Sequence, residues 1–258
     1  GTLNTVIFCP EDLQLIKGTP SGRRRFLDME ISQTSATYYH QLMQYNRLLQ
    51  QRNAVLKEYR GKQNIPLEEW DLQLADMASF IVKKRLESLK KINLLIDLMN
   101  RKLTGGLENL TIGYEQPYMD NGSLEYTKEG FYERIKAALP QDRHRMTTSV
   151  GPHRDDLRFF SDAMDLKKFG SQGQQRTAVL SLKLSELEFI KSEVGEYPVL
   201  LLDDVLSELD ESRRANLLQF IHKRIQTFIT TTDIHDFKDL KSVQFISCEG
   251  GKVQYGQP

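Results

Sequence analysis

The sequence has little of what marks secreted or membrane-spanning proteins. Only two cysteines, Cys9 and Cys248, occur in 258 residues, which excludes a disulfide-held scaffold and favours the cytoplasm. No CxxC pair is present, which argues against structural zinc. Apolar runs reach only four residues, as in Val199–Leu202, far short of a membrane span. The first residues carry no basic and apolar leader, so we expect no signal peptide and no membrane partner.

Net charge is also lacking. Lysine plus arginine and aspartate plus glutamate number 35 each, which excludes a uniformly basic DNA-coating protein. The charge is nevertheless uneven, since residues 21–102 hold 15 basic and 9 acidic side chains, a net of +6. This segment is a candidate polyanion-binding surface, although an ordinary solvated helical face explains the same charge.

Several basic residues of this segment recur at helical spacing. Lys83, Lys90 and Arg101 are spaced by seven and eleven residues, which places them on one face of a helix. Such side chains contact phosphates rather than bases, so we expect salt-sensitive and sequence-tolerant binding. Arg23–Arg25 lies near the predicted core, where pairing with acids is the alternative. The candidate DNA-binding residues are Arg23, Arg24, Arg25, Lys83, Lys84, Arg85, Lys90, Lys91, Arg101 and Lys102.

The middle of the chain is helical by the spacing of its apolar residues. Residues 34–59 and 67–103 each repeat apolar side chains at helical intervals, and Gly61–Pro66 separates them. The second helix would reach about 50 Å. Two long helices joined by a short loop form either an arm or a packed bundle, and both remain open from the sequence.

The rest of the chain alternates strands and helices. Thr5–Phe8 is predicted as a strand, a turn-rich link follows at Gly18–Gly22, and Asn121-Gly122 is typical of a hairpin turn. From about residue 174 an amphipathic helix, the strand Val199–Leu202 buried on both faces, a further helix and a further strand follow in order. That order predicts a parallel α/β sheet.

Two acids follow the buried strand. Val199–Leu202 leads directly into Asp203 and Asp204, at the carboxyl edge where open α/β sheets bind ligands. This is the form of a Walker B strand, in which Asp203 would hold Mg²⁺ and Asp204 would orient or deprotonate the attacking water. Because many buried strands end in acids, the run alone is a weak signal.

Two further runs flank that strand. Phe169–Gln175 (FGSQGQQ) opens the preceding helix and offers a hydroxyl, backbone N–H groups and the positive helix end, which together suit an anion. An ordinary Ser/Gly N-cap is the alternative. Ser207–Asp210 (SELD) follows the two acids and either lies between subunits beside a nucleotide or caps the next helix.

Taken together, these runs carry a family resemblance. SQGQQ resembles the ABC signature, and VLLLDDVLSELD resembles a Walker B strand plus D-loop. With FCPEDL, RRRFLD and GPHRDDL, they make nearly the whole chain similar to the RecF family, ABC-type ATPases related to the SMC proteins. The resemblance implies an α/β fold, a partial ABC-type ATPase head with an inserted helical arm domain. Its parts would be residues 1–28 (head), 29–140 (arm) and 141–258 (C-terminal half of the head).

The resemblance also implies a function. Family members form an ATP- and Mg²⁺-dependent homodimer that clamps DNA at gaps or duplex–single-strand junctions and acts with RecO and RecR to load RecA. In ABC dimers, each nucleotide lies between the phosphate-binding loop of one subunit and the signature of the other. The implied site residues are Asp204 (catalytic), Asp203 (Mg²⁺), Ser171, Gln172, Gly173 and Gln174 (ATP in trans), Ser207 and Asp210 (D-loop), and Thr232 and Asp233 (switch position).

Some features depart from the family pattern. The sequence has no GxxxxGK[ST] phosphate-binding loop, and we expect the chain to be a fragment that begins after it. Asp204 stands where most ABC proteins have glutamate, Cys9-Pro10 replaces the Q-loop glutamine, and Thr230–Asp233 occupies the place of the switch histidine. These changes suggest slow hydrolysis suited to a switch. The competing hypothesis is a non-catalytic DNA- or partner-binding module whose ATPase motifs are remnants.

Overall fold

The computed structural model describes residues 3–58, 66–106, 108–118, 126–232, 237 and 243–256. The helices are α1 (Gln14–Lys17), α2 (Pro20–Thr34), α3 (Ala36–Glu58), α4 (Glu68–Thr104), α5 (Lys128–Ala137), α6 (Leu139–Arg145), α7 (Leu166–Phe169), α8 (Gln172–Val194) and α9 (Glu211–Ile221). The strands are β1 (Thr5–Phe8), β2 (Leu110–Glu115), β3 (Asp156–Ser161), β4 (Met164–Asp165), β5 (Val199–Asp203), β6 (Thr227–Thr230), β7 (Ile246–Glu249) and β8 (Lys252–Tyr255).

The predicted parallel sheet is present. Its strands lie in the order β1-β5-β6, and both pairings are parallel. Phe8 pairs with Leu202, and Asp203 pairs with Thr230. The carboxyl ends of all three strands therefore meet at one edge of the sheet, which is where ligands bind in open α/β folds.

Only one face of this sheet is fully covered. Val6, Leu200 and Leu202 are buried, whereas Ile7 and Phe228 on the opposite face are 51% and 54% exposed. In β5 itself, Val199 and Leu201 on that face are only half-buried, so the expectation that β5 is buried on both faces is wrong. Parallel sheets normally have both faces covered, so the exposed apolar side chains of Ile7 and Phe228 depart from that pattern.

The helix α8 is the central helix of the molecule. It was expected to be amphipathic, but it is buried on nearly every side from Gln175 to Ile190. It packs against α4 on one side and against β1 and α2 on others, and within this stretch only Arg176 is exposed and only Glu188 is half-buried. Helices enclosed in this way tolerate polar residues only where partners exist, and the buried Lys183 and Glu186 pair with each other.

The two long helices are packed rather than projecting. α3 and α4 contact each other, and α4 also packs on α5, α8 and β2. The buried side chains of α4, such as Ile81, Ile92 and Ile96, belong to the same apolar core as α8. The packed alternative thus describes this part of the chain. Residues 28 and 140, where the predicted domains were divided, lie inside α2 and α6, and the division itself stays a prediction.

One local prediction differs from the structure, and a second falls outside the described part of the chain. The link expected at Gly18–Gly22 is the start of α2, because Thr19 caps the helix and Pro20 is its first residue, where a missing N–H costs nothing. β2 pairs with β3 in an antiparallel sheet of order β2-β3-β4. The turn expected at Asn121-Gly122 lies outside the described residues.

Candidate nucleotide site and DNA-facing surface

The carboxyl edge of the parallel sheet brings together Asp203, Asp204 and Thr230. The Thr230 hydroxyl donates to Asp203 Oδ1 at 2.6 Å and accepts from the Asp204 N–H at 3.0 Å. Thr230 therefore orients the Asp203 carboxylate and holds the backbone of Asp204, while both aspartate side chains stay exposed. The other carboxylate oxygen of Asp203 makes no hydrogen bond or ion pair with a described residue.

Asp204 adopts an unusual backbone conformation. Its φ of 51° lies in the left-handed region, which aspartate tolerates better than most residues. The Ser207 hydroxyl donates to the Asp204 carbonyl oxygen at 2.8 Å, and Thr230 binds its N–H. Such strain is concentrated at functional sites, because the surrounding contacts must hold it.

Cys9 lies at the same edge, directly after β1. Asp12 accepts from the Cys9 N–H at 2.9 Å, which shapes the short 3-10 helix Pro10–Leu13. Burial, followed by the charges of Asp12 and Glu11, raises the pKa of the Cys9 thiol to about 11. At neutral pH the thiol is therefore uncharged and adds no negative charge beside the acids of β5.

The signature run forms the N-terminus of α8. Ser171 is the N-cap, and its Oγ accepts from the Gln174 N–H at 3.2 Å, while the Gln174 side chain accepts from the Ser171 N–H. The Gln174 amide also donates to Glu108 at 3.0 Å. This capping box leaves the Ser171 hydroxyl proton free to donate, whereas the Gln174 side chain is already engaged within the fold.

Gly173 keeps the helix end open. A Cβ built on it would meet only Ser171 Oγ, at 4.0 Å, so the fold has room for a side chain there. By contrast, a Cβ on Gly170 would lie 2.6 Å from the Leu166 carbonyl oxygen. Gly170 is thus required by packing, whereas packing among the described residues does not require a glycine at position 173.

The signature and the acids lie apart within one chain. Lys183 Nζ is 3.2 Å from Asp12 Oδ1, which puts that point of α8 level with the sheet edge. Ser171 lies twelve residues earlier on α8, about 18 Å along the axis. Even if Lys183 leans fully toward the helix start, more than about 10 Å remains between Ser171 and that edge.

The remaining predicted site residues lie at the start of α9, at exposed positions or outside the described residues. Asp210 is the N-cap of α9 and accepts from the Arg213 N–H at 2.9 Å, so the helix-capping alternative describes its present contacts. Gln172 and Thr232 are exposed. Asp233 lies outside the described residues.

Comparison with known proteins gives a consistent result. No family model matches the chain. A DNA replication and repair protein RecF from Alkaliphilus oremlandii is 50% identical over 243 residues, 93% of this chain and 66% of that protein. The RecF of Halalkalibacterium halodurans is 45% identical over 260 residues, 98% of this chain and 70% of that protein. This chain belongs to the RecF family.

Solved structures agree with this assignment. The structure of the recombination mediator protein RecF with ATP, in the RecFOR pathway, matches with a TM-score of 0.89 at 36% identity. The match covers 100% of this chain and 68% of that one. The RecF-family chain therefore spans about two thirds of the length of the relatives that it matches, and the ABC-type head fold expected from the motifs is confirmed.

The basic side chains of α4 in this RecF-family chain fall into two groups. Lys83, Lys90 and Lys102 are exposed and make no ion pair with any described residue. Lys84 pairs with Glu87 at 2.8 Å and Lys91 with Glu193 at 2.5 Å. Partial neutralisation makes the second group weaker candidates for phosphate contact.

Arg101 belongs to the paired group as well. It contacts Asp97 at 2.9 Å and Asn109 at 2.6 Å, although it stays half-exposed.

No helix among the described parts of the chain is long and apolar enough to cross a membrane.

Two candidates for DNA contact are buried instead, and their assignment to a DNA surface is wrong. Arg23 binds both carboxylate oxygens of Asp156, at 2.7 and 2.8 Å. Arg85 is fully buried and pairs with Asp28 and Asp155. Removing either arginine would leave its partner carboxylate without a counter-charge, so these arginines stabilise the fold and are not available to phosphates.

Sequence reasoning missed the part that Thr230 has in the RecF site. It lies in the run Thr230–Asp233, but the switch position was predicted at Thr232 and Asp233. The pairing of Asp203 with Thr230 decides which threonine meets the acids, and a register between distant strands is not visible in a local pattern.

Proposed function

We propose that this chain is the part of an ATP-dependent DNA clamp that carries the signature and the Walker B acids. In this proposal the protein dimerises around two ATP molecules, binds DNA at duplex–single-strand junctions and acts with RecO and RecR in recombinational repair to load RecA. The sheet-edge acids support an ATPase, and the unpaired lysines of α4 support contact with DNA phosphates.

The separation of signature and acids within one chain carries the proposal. Ser171 and Gly173 lie too far along α8 to contact a phosphate held at Asp203 of the same subunit. Two anion-binding elements that cannot share a ligand within one chain can share it across a two-fold axis. The nucleotide would then bridge the subunits, and its hydrolysis would release the clamp.

The residues at the sheet edge fit Mg²⁺. Among the described residues no three histidine, cysteine or carboxylate side chains cluster as metal ligands. Mg²⁺ commonly binds through one or two carboxylates together with water and substrate phosphates, so the exposed Asp203 suits it. When bound, the ion would neutralise phosphate charge.

The chain's own groups have distinct tasks in this proposal. The Ser171 hydroxyl, the N–H groups near Gly173 and the positive end of α8 bind the terminal phosphate. Asp204 accepts the proton of the attacking water. Its side chain is one methylene shorter than glutamate, which keeps the carboxylate further from the water and favours slow hydrolysis.

A mixing experiment tests this arrangement. In a RecF-family protein that carries a phosphate-binding loop together with this chain, Gly173→Asp would disable the signature and Asp204→Asn the acid. Each homodimer should be inactive. A mixture should recover up to about a quarter of the parent's ATPase activity, because each heterodimer then contains one intact composite site.

The mixture also separates the two hypotheses. No recovery, with heterodimers shown to form, would mean that signature and acids do not act in trans. A parent protein that binds DNA equally well with and without ATP, and that never dimerises, would favour the non-catalytic binding module.

A further inference from the structure

We propose that the cleft between α2 and α3 binds one nucleotide of single-stranded nucleic acid, a site separate from the ATP site and from the lysines of α4. This inference rests on the proposed DNA-binding function. The cleft has a volume of about 470 Å³, within the range of pockets that hold small organic ligands. Arg24 and Arg25 of α2 line one wall, and Tyr39 and Asn46 of α3 line the other.

The cleft carries positive charge that the protein does not balance. Arg25 is exposed and has no hydrogen bond or ion pair with a described residue. Arg24 is half-buried, and its only such contact is the Asp155 carbonyl oxygen, at 2.7 Å. Burial and the nearby charge of Arg85 lower the pKa of Arg24, although the charges of Asp155, Asp156 and Asp28 act in the opposite direction. An anion that contacts Arg24 and Arg25 would offset the repulsion from Arg85.

The polar groups at the floor of the cleft already have partners within the protein. Arg85 pairs with Asp28, and the Tyr45 hydroxyl contacts His153 Nδ1 at 2.6 Å. Burial lowers the pKa of His153 to about 4, so this histidine is neutral at physiological pH. The unsatisfied donors are therefore the arginines at the rim, where a backbone phosphate can reach them.

The opposite wall favours a base over a peptide side chain. Tyr39 is 47% exposed, its hydroxyl makes no hydrogen bond with a described residue, and its ring already meets His40 edge-on. Proteins bind single strands by combining an exposed aromatic ring for a stacked base with basic side chains for its phosphate, and this cleft is lined by both. The exposed Asn46 amide adds a donor and an acceptor for a base edge.

The cleft is also separate from the basic side of α4. At 100° per residue, Arg85 and Lys83 point about 200° apart around the helix. Arg85 closes the floor of the cleft, whereas Lys83 faces solvent. Variants of the two surfaces can therefore be compared.

The test measures binding of this chain to a fluorescent twelve-nucleotide oligothymidylate by anisotropy, without ATP. Arg25→Ala should weaken binding about fivefold or more and reduce the salt slope by about 0.7. Tyr39→Ala should weaken it about five- to fiftyfold. Arg47→Ala, an exposed arginine of α3 outside the cleft, is the matched control and should change little.

An oligonucleotide without bases identifies the stacking partner. The parent should bind a fully abasic strand about as weakly as Tyr39→Ala binds oligothymidylate, and the abasic strand should show no further loss with Tyr39→Ala. Circular dichroism melts should match the parent, since both substituted residues are exposed.

Several results would overturn the inference. One is an absence of binding to oligothymidylate at low salt, and another is that Arg25→Ala and Tyr39→Ala behave like Arg47→Ala. Equal affinity for the abasic strand would leave a phosphate site only. A further result is displacement of the oligonucleotide by an oligoglutamate peptide whose binding depends on Arg25 but not on Tyr39. That result would identify an acidic peptide as the ligand of the cleft. Because ATP is omitted, none of these outcomes depends on the proposed dimer.

Discussion

Replacing Gly173 with aspartate should stabilise the fold and disable the nucleotide site, two effects of opposite sign. Gly173 is the second residue of α8, and a Cβ there meets nothing closer than 4.0 Å. Loss of a helical glycine contributes about 0.5 kcal/mol, and an acid in the first helical turn about 0.3–1 kcal/mol. We therefore expect the unfolding free energy of Gly173→Asp to rise by about 1 kcal/mol.

The effect on ATP-dependent dimerisation should be far larger. In the proposed composite site, the new carboxylate would lie near the terminal phosphate of the partner's nucleotide. At about 4 Å and an effective dielectric constant near 20, two unit charges repel by about 4 kcal/mol. Each of the two composite sites should thus weaken dimerisation with ATP by ~100- to 1000-fold.

Two measurements separate these effects. Urea unfolding of this chain gives the change in stability. Sedimentation velocity with ATP, on a RecF-family protein that carries the phosphate-binding loop, gives the change in dimerisation. Gly173→Ala separates charge from size, and Gly170→Ala is the structural control. The latter should lose about 1–3 kcal/mol of stability, because its Cβ would overlap the Leu166 carbonyl oxygen. A Gly173→Asp protein that dimerises with ATP within about twofold of the parent would refute the trans-signature argument.

The remaining predictions concern buried charge and the α4 surface. Burial raises the pKa of Glu30 to about 7 from its ordinary 4.5, so the folded chain holds a proton that the unfolded chain releases. The unfolding free energy should therefore fall as pH rises from 4.5 through 7. In urea titrations at pH 5 and pH 8, Glu30→Gln should remove on the order of 2 kcal/mol of this fall. An equal fall in the parent and in Glu30→Gln would contradict the prediction. Arg52→Ala should cost about 3–5 kcal/mol of unfolding free energy, because it leaves the fully buried Asp142 without its cation; a loss below about 1 kcal/mol would show that water replaces the guanidinium. Charge reversal of Lys83 and Lys90 together should lower DNA affinity at least tenfold and flatten its salt dependence, and an unchanged salt slope would remove this face from the DNA-binding surface.

Local patterns were sufficient for the long elements of this chain. The strand Thr5–Phe8 was predicted at its observed bounds, and the helices predicted at 34–59 and 67–103 are Ala36–Glu58 and Glu68–Thr104. Apolar spacing repeats many times along such helices, and each repeat adds independent support. The family resemblance likewise came from short runs of residues, and the relatives confirm it.

Burial was less accessible to the sequence. The pattern of α8 predicted an amphipathic helix, yet the helix is enclosed on nearly every side, with Lys183 and Glu186 inside. A charged residue in a helix normally indicates solvent, and only packing against α2, α4 and β1 reverses that expectation. The same reasoning explains Arg85, which looked like part of a basic surface and is a buried ion-pair partner.

The sequence alone determined the family, the positions of the long helices and the parallel strands, and the residue types that could serve a nucleotide. These depend on contacts within a few residues or on motifs read in one stretch. The tertiary structure decided that Thr230 orients Asp203, that Ser171 lies far from the sheet edge, and that Arg24, Arg25 and Tyr39 share a cleft. Each of these depends on the register or packing of elements far apart in the chain, and many arrangements of the same local patterns would have satisfied the sequence equally well.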